Sequence, residues 1–170
     1  MRNAGGEYLF SIGDRVVYPM HGAGVIEAIE EREILGRRKQ YYIMKLPIGD
    51  MQVMIPVDGV DDVGLRQVIS ESDLERVLEV LAGERTKMSA NWNRRYRANA
   101  EKLRSGNIFE VAEVVRNLTL REREKGLSTG ERKMLDNAKQ ILVSEVVLAR
   151  NIAEGEAHGL LEQAIGSASS

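Results

Sequence analysis

From Tyr8 to Leu65 the apolar positions fall in short runs with a period near two: Arg15-Val16-Val17-Tyr18, Gly24-Val25-Ile26-Glu27-Ala28-Ile29, Tyr41-Tyr42-Ile43-Met44-Lys45-Leu46 and Met51-Gln52-Val53-Met54-Ile55-Pro56-Val57. β-Branched and aromatic residues fill these runs because they suit a half-buried pleated surface, so each predicts a strand. Turn residues separate them at Gly13-Asp14, Pro19 to Gly22, Leu35-Gly36-Arg37 and Pro47-Ile48-Gly49-Asp50. That spacing suits a small antiparallel barrel or curled sheet. After Leu65 the period lengthens to 3.6 and the punctuation becomes helix caps. The chain therefore predicts an α+β protein in which residues 8–66 form a small antiparallel β module and residues 67–165 a compact all-helical domain. Residues 1–7 and 166–170 are small and polar, and disorder is expected of both.

The helical half divides cleanly. Ser72-Asp73-Leu74-Glu75 reads as a capping box before the stripe Leu74, Val77, Leu78, Leu81, which Gly83 closes. A second helix is predicted from near Ser89 to Ser105, with Trp92, Tyr96, Ala100 and Leu103 along one side. Asn107 to Glu110 opens a third, with Ile108, Val111, Ala112, Val115 and Leu118 inward and Gly126 at its end. Ser128-Thr129-Gly130-Glu131 opens a fourth, carrying Leu135, Ala138, Leu142 and Val146 to about Arg150, and a last helix holds Leu160, Leu161 and Ala164.

Alternation along Met51–Val57 predicts Met51, Val53, Ile55 and Val57 inward and Gln52, Met54 and Pro56 outward. Pro56 argues for an edge strand, because proline cannot donate to a ladder. A hairpin centred on Ile48-Gly49 is expected to set Met44 roughly opposite Met54, enlarging an adaptable apolar docking patch. The competing reading packs Met44 and Met54 under a neighbouring strand.

Composition narrows the function classes. In 170 residues, 24 Lys+Arg face 26 Asp+Glu, with 43% hydrophobic residues, 29% charged residues and no cysteine. A core of ordinary size is possible, whereas a disulfide framework, a thiol nucleophile and a cysteine-based zinc site are excluded. No apolar run approaches the roughly 18 residues of a membrane helix, and the start lacks a signal-peptide core, so a cytoplasmic location is expected. His21 and His158 lack ligand-spaced partners, Gly22-Ala23-Gly24 lacks the rest of a dinucleotide fingerprint, and no phosphate loop or nucleophile elbow occurs. No catalysis, cofactor or metal is expected.

Overall neutrality conceals a basic island. Between Glu84 and Arg104 seven bases face two acids, and Asn91-Trp92-Asn93-Arg94-Arg95-Tyr96-Arg97 sets the single tryptophan among three arginines. Clustered bases contact phosphates by displacing counterions, and an aromatic wedge can pry at base steps in the minor groove. Equally, Trp92 lies on the Tyr96–Leu103 stripe and could be core, with the arginines a solvated helix face. Arg132 and Lys133 sit in the first turn of a helix, where positive charge opposes the macrodipole and hints at an external anion.

Taken in order, Gly13-Asp14-Arg15-Val16-Val17-Tyr18-Pro19, Met54-Ile55-Pro56-Val57, Val63-Gly64-Leu65-Arg66, the segment Asn91–Arg97 and Gly126–Leu135 resemble the bacterial CarD/CdnL transcription regulators, over about Phe10 to Arg150. The resemblance implies a Tudor-like β module, related to one in the transcription-repair coupling factor, that grips the RNA polymerase β subunit. It further implies a helical domain at the upstream edge of the transcription bubble, its tryptophan a minor-groove wedge that stabilises the promoter open complex. Carried onto this chain, the wedge falls on Trp92, with Arg94, Arg95 and Arg97 as backbone contacts and Arg132 and Lys133 as further candidates. The polymerase contact falls on Met54 and Pro56, with Met44 and Arg32 as neighbours. Where some members carry a base, this chain has Met54, so an apolar contact is expected there. The chain resembles the short, CdnL-like form. It implies a monomer, nucleoid-associated through polymerase, with low DNA sequence specificity. The alternative is a two-domain protein–protein adaptor that makes no DNA contact.

Overall fold

The computed structural model describes residues 8–168. Five strands, β1 (Arg15–Tyr18), β2 (Gly22–Ile34), β3 (Arg37–Lys45), β4 (Gln52–Pro56) and β5 (Arg66–Gln67), form one sheet in the order β4-β3-β2-β1-β5. Each neighbouring pair in that order is antiparallel. A short helix α1 (Val60–Val63) precedes β5, and α2 (Glu71–Ala82), α3 (Trp92–Arg104), α4 (Ile108–Glu124), α5 (Thr129–Arg150) and α6 (Glu154–Ala168) follow. The α+β layout is the one expected from the change of period.

One face of the sheet encloses Val16, Ile26, Tyr42, Met44, Leu46 and Ile55, together with Phe10, Val57, Val60 and Leu65. β2 and β3 run well beyond this core as a two-residue hairpin through Leu35 and Gly36, both at positive φ (53° and 78°), the twist-matched form of tight turn. The outer part of this ribbon, Glu30-Glu31-Arg32-Glu33 against Arg37-Arg38-Lys39-Gln40, buries little on either face. It therefore carries no apolar alternation, and the sequence reading ended the first of these strands too early, at Ile29, and began the second too late, at Tyr41.

Helices α2, α4, α5 and α6 share the second core, built from Leu74, Val77, Leu81, Val111, Val115, Leu118, Leu135, Leu142, Val146, Leu161 and Ile165 among others. The cap of α2 is Ser70, whose side chain accepts from Asp73 N, two residues before the expected Ser72. Both serines begin a plausible box, and backbone geometry selects the earlier. Helix α6 runs through Gly166 to Ala168, past the expected end at 165. Extending a helix already nucleated on the buried Leu161 and Ile165 costs less than starting one, despite the poor propensity of Gly166 and Ser167. Residues 1–7, 169 and 170, for which disorder was expected, lie outside the described residues.

The two modules are joined by specific contacts. Gly22, at φ +105°, approaches α5 so closely that a Cβ there would lie 2.6 Å from Ser144 Oγ. The next amide, Ala23 N, donates to that hydroxyl at 2.8 Å. Arg66, on β5, forks onto Glu145 of α5 with two bonds of 2.8 Å, and Ile69 N donates to the same carboxylate at 2.9 Å. Arg15 donates to the Leu148 carbonyl.

Candidate nucleic-acid and protein interfaces

Asn91 caps α3, its Oδ1 accepting from Arg94 N at 3.0 Å, which makes Trp92 the first residue of the helix. The indole stacks on Tyr96 at a centroid distance of 5.0 Å and an interplanar angle of 18°. Its Nε1–H donates to Ser128 Oγ at 2.9 Å. Ser128 is the cap of α5, accepting from Glu131 N at 3.2 Å, so two helix N-termini meet at one indole. Gly130 leaves room for the ring: a Cβ there would be 3.4 Å from Trp92 Cζ2. The side chain is held on one edge and remains 41% exposed. Trp92 is thus an anchored surface ring, and the core reading of it does not hold.

Arg95 requires a correction. Expected to touch DNA, it is only 4% exposed, and its Nε and Nη2 donate to Glu131 at 2.7 and 3.2 Å while Nη1 donates to the carbonyls of Ser89 and Ala90. Its donors are turned inward, none towards an external phosphate. Arg95, Asn99 and Leu103 make the buried line of α3, so of the predicted Trp92–Tyr96–Ala100–Leu103 stripe Leu103 is buried, Tyr96 and Ala100 are half-buried and Trp92 is exposed. A rule that points arginines outward fails here because Glu131 is buried alongside, at 2% exposure. Burial pushes the Glu131 carboxyl up, but the bonds and charge of Arg95, with those of Ser128, outweigh it and hold the group below its ordinary value. Ser128 Oγ also donates to Glu131 Oε1 at 3.1 Å, so the buried pair supports the hydroxyl that fixes Trp92. Ser128 and Glu131 were visible as a cap, whereas their partners, Trp92 and Arg95, are 36 residues away.

Around the ring, Arg94, Arg97 and Lys133 are exposed and make no ion pair among the described residues. Arg132 is exposed too, 3.8 Å from Glu122.

On the sheet, β4 is an edge strand, as Pro56 implied. Met54 is 39% exposed, but Met44 is fully buried, and its expected place beside Met54 is wrong. The observed register pairs Met44 with Val53 and Ile43 with Met54. A turn centred on Ile48-Gly49 gives this pairing directly, and a slip of one residue exchanges the two faces. Met51, expected inward, is 53% exposed because it lies in the turn before β4. The outer face presents Met54 and Pro56, whose partners across the ladder, Ile43 and Tyr41, are buried, and Arg32, opposite Lys39, lies farther along it. Arg32 is exposed and bonded to Glu30. Among the described residues no helix is long and apolar enough to cross a membrane and no group of three or more His, Cys, Asp or Glu gathers for a metal.

These surfaces lie within two matched family models. The CarD-like/TRCF RID domain matches residues 10–69, and the CarD C-terminal domain matches residues 76–162. The chain belongs to the CarD/CdnL family. Its similarity to YdeB of Bacillus subtilis (strain 168), which its name assigns to transcription factors, is 42% identity over 146 residues, covering 86% of this chain and 95% of YdeB. Among solved structures, the 72-residue N-terminal domain of Myxococcus xanthus CarD is 30% identical, covering 39% of this chain and 89% of that one, with a TM-score of 0.31. The M. xanthus CdnLNt structure is 42% identical, covering 36% of this chain and 87% of that one, with a TM-score of 0.32. As a CarD/CdnL protein, the chain is a transcription regulator.

Proposed function

We propose that this CarD/CdnL protein binds the β subunit of RNA polymerase through the outer face of its β module and stabilises the promoter open complex through its helical domain. Met54, Pro56 and Arg32 make the polymerase contact, with Tyr41 and Ile43 behind them. Trp92 is the wedge at the upstream edge of the bubble, and Arg94, Arg97, Arg132 and Lys133 grip the phosphates on either side.

The observation that carries this reading is the anchored but exposed Trp92, 41% accessible where two helix N-termini meet. Helix N-termini attract anions, and unpaired bases beside them add to that field. An indole fixed by one hydrogen bond and one stack loses little freedom on insertion between bases, which lowers the cost of prying a step apart. Contacts to phosphate and the minor groove carry little sequence information, so binding follows DNA shape and melting. Tethering through polymerase raises the effective DNA concentration, so weak intrinsic affinity is sufficient.

The deciding experiment measures the decay of polymerase–promoter open complexes after a competitor is added, with the wild-type chain and with Trp92→Ala. The wild-type chain should prolong the lifetime and the variant should not, while both still bind polymerase. Absence of any salt-dependent binding to forked DNA would instead favour a protein–protein adaptor.

A further inference from the structure

The segment between α2 and α3 meets the last turn of α4 in a cavity of about 320 Å³ lined by Arg85, Thr86, Lys87, Met88, Arg121 and Lys125. Four of these six residues are bases. Arg85 is paired with Glu124 at 2.6 Å, whereas Lys87, Arg121 and Lys125 have no ion pair among the described residues. Bases near a helix C-terminus are favoured by the macrodipole, which accounts in part for Arg121 and Lys125. That reason does not extend to Arg85 and Lys87, which arrive from a different segment, nor does it explain the concavity.

The segment is held in place. Thr86 N donates to Asn117 Oδ1 at 3.1 Å, Thr86 Oγ1 donates to Glu113 at 3.1 Å, and Arg116 donates to Thr86 Oγ1 at 2.6 Å and to the Val80 carbonyl at 2.9 Å. These bonds fix the backbone from which Arg85 and Lys87 project. A separate observation concerns Arg121: its Nε is shut off from solvent without a hydrogen-bond partner among the described residues. That atom is closed to an entering ligand, but Arg121 lines the pocket with a guanidinium that has no ion pair among the described residues, and phosphate supplies the oxygens such a group matches.

We infer that this pocket is a second phosphate-binding site, which takes a backbone phosphate of the nucleic acid into which Trp92 inserts. The inference rests on the DNA reading above and extends its footprint to residues that reading did not use. Its position fits. Lys125 is three residues from Ser128, the residue that holds the indole, so their backbones are at most about 11 Å apart. With a minor groove only about 6 Å wide, a wedge there brings flanking phosphates within reach of the pocket. The lining also favours a polymer over a free nucleotide. Met88 is its one apolar side chain, too little to bury a base, whereas small-molecule sites are mostly apolar.

The test titrates a labelled forked duplex with the full chain across a series of salt concentrations, comparing the wild type with Lys87→Gln, Lys125→Gln, their double variant and Trp92→Ala. Because the pocket holds one phosphate, the double variant should flatten the slope of log affinity against log salt by about one unit and each single variant by less, with the melting temperature unchanged. Trp92→Ala removes no charge and should keep the wild-type slope. An unchanged slope in the double variant, with wild-type binding intact, would overturn the pocket and leave the proposed function standing. Failure of the wild type to bind the fork in a salt-dependent way would overturn both. In a parallel arm, inorganic pyrophosphate is added during thermal melting. If it stabilises the wild type but not the double variant, and the DNA slope is the same in both, the pocket serves free phosphates and the inference is wrong. Should the double variant melt lower, Lys87→Gln alone, on the exposed segment, decides by its slope.

Discussion

Trp92 and Arg95 are neighbours on α3 with opposite fates, and their substitutions should differ accordingly. Trp92 keeps one hydrogen bond and one stack on a surface that is 41% exposed. Trp92→Ala should cost about 1–2 kcal/mol, less than the roughly 3–5 of a buried tryptophan, with its larger effect on open-complex lifetime. Thermal melting read beside the decay assay checks both halves. Arg95→Ala strands the Glu131 carboxylate in the interior, and removing one partner of a buried pair costs roughly 3–5 kcal/mol. Glu131 adds a pH dependence of defined sign. Its folded pKa lies below the ordinary carboxylate value, so its stabilisation is complete above the unfolded pKa and fades as pH falls through the folded one. Urea unfolding from neutral pH down into the acid range should show a larger loss in the wild type than in Glu131→Gln, which keeps the lowered carboxyls of Glu113 and Glu124. The Arg95 inversion was hidden in the sequence because a buried ion pair depends on a partner brought close only by packing.

At the scale of elements, β4 and the N-terminus of α3 are the edges to which the proposed function assigns binding. Met54→Asp places an unpaired charge at the centre of a small apolar face, a desolvation cost of a few kcal/mol at an interface. It should abolish binding to the polymerase β subunit in a pull-down while leaving the melting temperature nearly unchanged, because Met54 is outside the sheet core. Arg94→Ala and Arg97→Ala should weaken DNA binding about equally on all sequences and each flatten the salt slope by roughly one unit. A loss that varied strongly with sequence would point to base readout instead. Most elements were legible from periodicity and caps, since amphipathic stripes and capping residues act locally. The face of Met44 was not, because alternation gives two faces and only the register says which one is buried.

For the whole molecule, the decisive contact is the fork of Arg66 on Glu145, which is fully buried between the modules. It fixes the sheet relative to the tryptophan, so under the proposed function a polymerase tether would deliver the wedge at a set distance instead of over a range. Arg66→Ala should destabilise the chain by roughly 3–5 kcal/mol by leaving that carboxylate uncompensated, and Glu145→Leu combined with it should recover much of the loss. A double-mutant cycle in thermal or urea unfolding measures this coupling. Additive effects of the two substitutions would show that the fork does not join the modules energetically.

The order of strands before helices, the helix spans to within a few residues, the basic island and the family resemblance were all determined by the sequence. Each is written in local spacing: periods of two and 3.6, turn and cap residues, and runs of charge. The burial of Arg95 with Glu131, the inward turn of Met44, the docking of Gly22 and Glu145 between modules, and the meeting of Arg85 and Lys87 with Arg121 and Lys125 were decided by tertiary structure. Each of these joins positions that are distant along the chain. Whether a charge is paired, exposed or set around a cavity depends on what folding brings beside it, and that information is absent from the pattern of any one segment.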